Sequence, residues 1–560
     1  MARRENLSRL LAVALGLLLA GPGVAAELTA ERIRWFDPDN ADIPEPREVE
    51  ENQVWDIVDH TFFYQMGKVL DLGWTARRVG NLVGLASPRE ADNVNALDEV
   101  PNSSWYTNRH FLRPMGRQEL ARGPGEAVPD PEGTWEIVAG KFEGGTAGFT
   151  IRDGAGRYFL LKFDSEGNDE MGSAAEVIAT KVLHAAGYNV PRNSVIHFAP
   201  QRLHIGPGAS VPGRGGGKRP MTEADMRGIL DNIAPQADGS LRCVASQFLE
   251  GRPVGVFNYD GRRRDDPNDR VDHQHRRELR ALRGIGSWLN DADRRAANTL
   301  DMYVSEEGGS RRYLRHYLID MGSCFGSNNL MPHPPKYGNE YVWDPRTIAR
   351  SIVSLGLFRK PWEEPLPMPY PEIGYFENQT FDPGSWVPTY PNPAMERGTL
   401  RDAYWGAKIV MSFGDDDIRA MVEAGQYSDP GATEELTRLL AERRDMIGRY
   451  WFARVNPLDR FRAEGEAIAF VDLAVEGRLA SAAATAYQCR DLSPDGKPRG
   501  PWREVTGMRL VPEPGLETGL HGLEVHTRRT VGGEWSTSTR LYYHKADGRP
   551  LRVVRLERQT

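Results

Sequence analysis

The run from residue 293 to residue 322 constrains this chain more than any other feature of its 560 residues. The run DRRAAN begins at Asp293 and ends at Asn298, and the later run LIDMG carries Asp320. One carboxylate can orient an attacking hydroxyl, while an amide oxygen and a second carboxylate hold a divalent cation. The same residue types also cap loops and form turns, which is the competing interpretation of each residue taken alone.

A β-hairpin is predicted between these two runs. Residues 299–305 and 312–319 alternate like strands and flank the turn sequence EEGG. Such a hairpin would bring Asn298 and Asp320 close together at its open end. An apolar stripe over residues 279–289 predicts the helix that leads the chain to this region.

The chain upstream changes its pattern at about residue 133. Alternation and turn residues predict three strands, then a helix and a further strand, at 135–142, 149–152, 158–163, 172–186 and 190–198. Residues 205–220 are rich in glycine and proline and predict a flexible insertion, and 241–249 predicts another strand.

Two charged residues of this upstream region are candidates for a joint role. Lys162 ends an apolar strand, where its ammonium group could reach phosphates or simply point to water. Glu176 in the following helix could fix this lysine by an ion pair. Alternatively, Ser173 and Glu176 form a capping box at the helix N-terminus, with Glu170 as a weaker partner for the lysine.

The runs that carry Asp293, Asn298 and Asp320 resemble motifs of known kinases. DRRAAN and LIDMG are similar to the Asp-Arg-His-x-x-Asn and Ile-Asp-Phe-Gly motifs of phosphoinositide lipid kinases, and to the corresponding loop of HipA-type bacterial serine/threonine kinases. The resemblance covers about residues 133–330. It implies that Asp293 is the catalytic base, that Asn298 and Asp320 bind Mg²⁺, and that Lys162 binds ATP phosphates.

The resemblance also implies a nucleotide site with weaker markers. The backbone at Gly144, Gly145 and Gly148 would approach phosphates, although a glycine-rich stretch alone is also a simple turn. Gln247 and Leu249 lie where a hinge would bind adenine through its backbone.

Two positions depart from the family motifs. Arg295 stands in place of the motif histidine, and Met321 replaces the phenylalanine. Neither position supplies the base or a metal ligand, so these changes bear on rate and substrate more than on the fold.

The implied fold class is α+β, with a bilobal protein kinase-like core. The predicted parts are an irregular N-terminal extension with one or two helices near 54–72, an N-lobe, a C-lobe and a small C-terminal all-β domain, at 27–132, 133–256, 257–455 and 463–560. Within the C-lobe we expect helices at 400–413, 415–423 and 433–452, and a stretch at 331–395 ordered by packing rather than by regular structure.

The N-terminal 26 residues predict export. A basic start, a short apolar run at 10–20 and small residues before Ala26 are typical of a cleaved signal peptide, with an uncleaved anchor as the alternative. We therefore expect a periplasmic or extracellular protein, with envelope association open and no other membrane span. A net charge of −8 argues against a general nucleic-acid binder, and three widely spaced cysteines give no disulfide framework.

The predicted function is transfer of the γ-phosphoryl group of ATP, with Mg²⁺, to an unknown protein or small-molecule acceptor. Two alternatives remain at this point: a non-catalytic pseudokinase or scaffold of the cell envelope, and a nucleotidyl transferase on the same fold. The sequence gives no indication of oligomeric state.

Overall fold

The computed structural model describes residues 33–49, 88–141, 147–213, 217–306, 308–355 and 357–560. The predicted signal peptide, the predicted helix near 54–72, and the glycines Gly144 and Gly145 lie outside these ranges. The described chain is a mixed α+β structure with one large sheet, three smaller sheets and several helices.

The large sheet has seven strands in the order β4-β7-β3-β2-β1-β5-β6. In chain order, β1 to β7 are Trp135–Lys141, Gly148–Arg152, Tyr158–Lys162, Arg192–Phe198, Leu203–Pro212, Lys218–Pro220 and Leu241–Gln247. Strands β1 and β5 run parallel, and the other neighbouring pairs run antiparallel. The predicted strands of this region are confirmed.

The prediction of a flexible insertion at 205–220 is wrong for the part that the structure describes. Strand β5 extends the sheet next to β1, and β6 pairs with β5. The reason is packing, because Leu203, Ala209 and Val211 of β5 are buried in the core of the large sheet. The many glycine and proline residues of 205–220 led to the prediction of flexibility, although the apolar residues of β5 favour a packed strand.

Helix α2 (Met171–Ala186) follows β3, as predicted, and α1 (Arg117–Arg122) and α3 (Glu223–Leu230) are shorter. Almost every residue of α2 is buried, and most of its apolar side chains join the largest core among the described residues. Because α2 is anchored in this core, a side chain that it directs toward the large sheet is held in a defined position.

The predicted hairpin after Asn298 is confirmed. Strand β9 (Thr299–Ser305) pairs antiparallel with β10 (Arg312–Leu318), and β8 (Arg252–Pro253) forms the third strand of this sheet. Thr299 is the register partner of Leu318. The residues just before β9 and just after β10 are therefore neighbours.

The remaining helices, apart from Pro345–Val353, form the largest core around Trp288 and Trp405. Helices α4 to α9 are Arg277–Leu289, Pro345–Val353, Pro393–Glu396, Leu400–Val410, Asp415–Glu423 and Pro430–Phe452. Helix α9 begins earlier than predicted because Asp429 caps it and a proline occupies its first turn. The expectation of no regular structure at 331–395 is wrong at α5 and α6.

The C-terminal region from residue 458 consists mainly of strands. Strands β11, β12 and β15 form one sheet, at Leu458–Glu464, Ala467–Asp472 and Arg509–Leu510. A five-stranded sheet has the order β14-β13-β16-β17-β18, and β13, β14, β16, β17 and β18 are Ala486–Leu492, Pro498–Val505, Gly519–Arg528, Thr539–Lys545 and Arg552–Arg558. The short helix α10 (Leu473–Glu476) interrupts them. The predicted domain boundaries stay predictions.

The described N-terminal residues pack along the rest of the chain. Asp39 accepts bonds from the backbone and hydroxyl of Ser104, and Trp105 stacks on His316 of β10. All three cysteines are buried free thiols. Within the described ranges, no helix has the length and apolar character needed to cross a bilayer.

Candidate active site

Lys162 lies at the centre of a cluster of polar side chains. It is the last residue of β3, and its Nζ atom is 3.1 Å from Glu176 Oε2 and 3.1 Å from Asp320 Oδ1. Burial alone would lower the pKa of Lys162, but the two carboxylates raise it above its usual value. The ammonium group is therefore charged and bridges residues that lie far apart in the sequence.

Glu176 takes part in this ion pair and does not cap its helix. Helix α2 begins two residues before Ser173, whose backbone N–H and hydroxyl both donate to Asp164. The alternative partner Glu170 instead accepts a hydrogen bond from the backbone of Ser428. The capping-box interpretation is thus wrong, and Glu176 is available to the lysine.

Asn193 of β4 holds the second oxygen of Glu176. Its Nδ2 atom donates to Glu176 Oε1 and to Thr180 Oγ1, each at 3.0 Å, and all three side chains are buried. These bonds fix the orientation of the carboxylate toward Lys162. Asn193 could not be predicted from the sequence, because an asparagine near the start of a strand has no pattern that marks it.

Asp293 and Asn298 contact each other directly in the loop before β9. Asn298 Nδ2 donates to Asp293 Oδ2 at 3.0 Å and to the Asp293 backbone carbonyl at 2.6 Å. Arg295 Nε donates to the other carboxylate oxygen, Oδ1, at 3.0 Å. Burial raises the pKa of Asp293, while Arg295 and Asn298 act in the opposite direction.

Asp320 follows β10 and has a left-handed backbone with φ of 54°. The preceding residue, Ile319, donates its backbone N–H to the carbonyl of Asn298 at 3.0 Å. Lys162 lowers the pKa of Asp320, although burial opposes this shift. The hairpin therefore brings Asp320 next to the loop of Asp293 and Asn298, as predicted.

Arg294 links the loop of Asp293 and Asn298 to the residues just before Asp320. Its guanidinium group donates to the carbonyl of Asn298 at 2.9 Å and to that of Ile319 at 3.0 Å, and it pairs with Asp291 at 2.8 Å. Arg294 is fully buried, so it is a structural clamp. Arg294 is the second residue of the run DRRAAN, and the sequence pattern indicates no role for it.

Of the weaker candidates for nucleotide binding, the structure describes Gly148, Gln247 and Leu249. Gly148 lies opposite Lys162 in the sheet, and a Cβ atom there would be 2.2 Å from the carbonyl of Leu161. Strand packing alone therefore explains this glycine. Gln247 ends β7 opposite Phe159, and Leu249 packs on the apolar cluster of the β9–β10 hairpin.

The donor set of the two loops suits Mg²⁺. The side-chain amide N–H of Asn298 donates to Asp293, so the side-chain carbonyl oxygen of Asn298 is the atom that can bind a cation. Asp320 supplies carboxylate oxygens, and Mg²⁺ is commonly held by one or two carboxylates with substrate phosphates and water. In the part of the chain that the structure describes, no group of three or more His, Cys, Asp or Glu residues is placed to hold a metal.

No protein-family model matches the chain, and no curated protein matches its sequence. Two solved structures are similar in part. The Helicobacter pylori proinflammatory kinase CtkA matches with 11% identity and a TM-score of 0.27, over 58% of this chain and 96% of that chain. The Golgi casein kinase matches with 11% identity and a TM-score of 0.23, over 74% of this chain and 94% of that chain. Similarity at this level defines neither a fold nor an activity.

Proposed function

We propose that this protein is an ATP-dependent phosphotransferase with a kinase-like bilobal core, assisted by Mg²⁺. One observation carries the proposal: Lys162 lies 3.1 Å from both Glu176 and Asp320. A lysine held between a helix glutamate and an aspartate beside an Asp–Asn loop is the arrangement that phosphoryl transfer in a kinase fold requires.

Each side chain of the cluster has a distinct part in this proposal. Lys162 would bind nucleotide phosphates as a point charge, and Glu176 would keep it in place. Asp320 would share its carboxylate between Lys162 and the metal ion. Asn298 would bind the same ion and hold Asp293 in position through its amide N–H.

Asp293 would orient the acceptor hydroxyl and take its proton. Burial raises the pKa of this carboxyl, which makes it a better proton acceptor than an exposed aspartate. When bound, Mg²⁺ supplies positive charge that neutralises the phosphate oxygens during transfer.

The compartment and the acceptor complete the proposal. We propose that the chain is exported and acts in the periplasm or outside the cell, on a hydroxyl group of a protein or small molecule. The proposed lobes are residues 133–256 and 257–455, with a C-terminal β-rich domain at 463–560. The N-terminal sequence features support export.

A thermal shift of the purified protein with Mg²⁺ and ATP tests nucleotide binding. Binding at a hundredfold excess over Kd stabilises a protein by about 2.7 kcal/mol. We expect a rise in Tm with the wild type and none with Asp320→Ala. Asp495→Ala, which removes an exposed turn carboxylate, is the matched control and should respond like the wild type. No rise in the wild type would favour the scaffold alternative.

Labelled ATP then separates the possible reactions. Transfer of label from γ-labelled ATP to an acceptor or to the protein itself, lost in Asp293→Asn, would support phosphotransfer. Transfer from α-labelled ATP would instead indicate nucleotidyl transfer. Binding without transfer from either label would indicate a pseudokinase.

A further inference from the structure

The segment from 345 to 360 exposes an unusual number of apolar side chains. It comprises helix α5 (Pro345–Val353) and the residues that follow it. Leu355 is 90% exposed, and Val353 and Leu357 are each 84% exposed. Ile348 and Ile352 are exposed as well, one helical turn apart. We refer to the described residues 345–355 and 357–360 as the apolar segment.

Single exposed apolar side chains occur elsewhere on the molecule and need no explanation. Val511 and Val531 are examples in the C-terminal region. The apolar segment differs because five exposed aliphatic side chains lie within ten residues. Contiguous exposed apolar surface marks a binding site for a protein or a membrane.

The charges of the apolar segment have one sign. Its charged residues are Arg346, Arg350, Arg359 and Lys360, and it contains no acidic residue. Lys360 pairs with Glu340 at 2.9 Å. Across the described ranges, no carboxylate pairs with Arg350 or Arg359, which are both exposed. Two exposed cations without a carboxylate partner in the described ranges therefore lie in the same segment as the exposed apolar side chains, Arg350 between Ile348 and Ile352 and Arg359 after Leu357.

The apolar segment is connected to the loop of the candidate active site. Val342 donates its backbone N–H to Thr389 at 2.8 Å, and Thr389 donates to Ala292 at 2.7 Å. Asp344 then starts helix α5 by accepting a bond from the backbone of Thr347. Two backbone hydrogen bonds thus link the chain just before the segment to the residue preceding Asp293.

We propose that the apolar segment docks on an anionic lipid surface. Aliphatic side chains would enter the boundary of the acyl chains, while arginines contact acidic head groups. A second copy of this chain fits less well, because a two-fold contact places a patch against itself. Arg350 and Arg359 would then face like charges. This proposal does not depend on phosphotransfer activity.

Vesicle binding of the full chain tests the proposal. Vesicles of phosphatidylcholine alone are compared with vesicles that also contain phosphatidylglycerol, and bound protein is measured by co-sedimentation. Hydrogen exchange over residues 345–358 provides a local readout, which is independent of any binding by the apolar run at 10–20. We expect slower exchange in this segment only with phosphatidylglycerol present.

Variants assign the binding to particular residues. The double variant Leu355→Glu/Leu357→Glu should lose the exchange protection and more than about tenfold in vesicle affinity, because the burial of two leucines is lost. The control Val511→Glu/Val531→Glu adds the same charge at exposed valines and should bind like the wild type. Arg350→Gln/Arg359→Gln should lose the preference for phosphatidylglycerol. Both sites are exposed, so an unchanged Tm will show that the variants fold.

Two results would overturn the proposal. One is equal exchange at residues 345–358 with and without phosphatidylglycerol vesicles. The other is a concentration-dependent dimer in sedimentation velocity that the double leucine variant abolishes and the valine control retains. That result would assign the surface to a second copy of the chain.

Discussion

Two ionic clusters of this molecule differ in how far they are closed to solvent. The first, which we call the open cluster, consists of Lys162, Glu176 and Asp320. The second, which we call the sealed cluster, contains the acids and bases Asp98, Glu99, Arg277, Asp402, Lys408, Asp459 and Arg558. The side chain of Asp320 is 44% exposed, whereas that of Asp402 is fully buried. Both clusters contain short ion pairs.

The difference separates a candidate site from a structural one. Members of the sealed cluster are bonded on several sides, as with Arg277, which contacts Asp98 at 2.6 Å and Asp402 at 3.0 Å. A ligand cannot replace these partners without unfolding. Asp320 faces solvent on one side, so it can exchange part of its bond to Lys162 for a cation. A candidate reactive site is therefore distinguished by side chains that are exposed to solvent and have unused hydrogen-bonding capacity, more than by its charge.

The largest expected effect concerns Asp293, in the loop next to the open cluster. Asp293→Asn keeps the size of the side chain but removes the proposed proton acceptor, and loss of a general base typically costs about 10²–10⁴ in rate. We expect that loss in label transfer from γ-labelled ATP, with the thermal shift by Mg²⁺ and ATP retained. Asp495→Asn is the control, and near-normal activity of Asp293→Asn would refute its role as the base.

The second effect concerns the sealed cluster. Arg277→Met leaves Asp98 and Asp402 buried with fewer partners, and breaking a buried pair costs about 3–5 kcal/mol. We expect a clear fall of the midpoint of urea unfolding. Arg438→Met removes exposed ion pairs on helix α9 and should cost less than about 1 kcal/mol. Equal midpoints for the two variants would contradict the distinction between the clusters.

A third variant removes the cation of the open cluster. Lys162→Ala should lose most of the stabilisation by nucleotide, which is about 2.7 kcal/mol at a hundredfold excess over Kd. Lys497→Ala is the control, because its ion pair lies on an exposed turn. The measurement is Tm with and without Mg²⁺ and ATP. A full nucleotide shift in Lys162→Ala would show that this lysine does not contact the phosphates.

The smallest effect is a change in pH dependence. Arg295 lowers the pKa of Asp293, so Arg295→Ala should raise that pKa further. Because Asp293 must be ionised to act as the proposed base, the acidic limb of the rate profile should move to higher pH. Partly exposed pairs contribute about 0.2–1 kcal/mol, so activity at a fixed acidic pH should fall at most about fivefold. Arg295→Lys keeps the charge and should leave the limb in place.

Local patterns were sufficient to predict much of the large sheet and the hairpin. Alternation marked β1 to β4, and the EEGG turn fixed how β9 and β10 would pair. That pairing in turn predicted the closeness of Asn298 and Asp320. Glu176 could not be assigned from sequence, because its role depends on whether α2 begins at Ser173 or earlier.

Contacts between distant residues were beyond prediction. Asn193 orients Glu176 from a neighbouring strand, and its position depends on how α2 packs against β4. The sealed cluster is the clearest case, since Lys408 pairs with Glu99 across 309 positions of the chain. No pattern of residues around either partner indicates that the two will meet.

The sealed cluster has a consequence for shortened versions of this protein. Arg558 lies two positions before the last residue and bonds Asp459 at 2.8 Å, while Asp98 comes from the N-terminal part of the chain. A fragment cut at 133 and 455 to isolate the proposed catalytic core would bring Arg277 and Lys408 into contact with water, stripped of several counter-ions. Such excised fragments should express poorly, so biochemical assays should begin with both flanking regions in place.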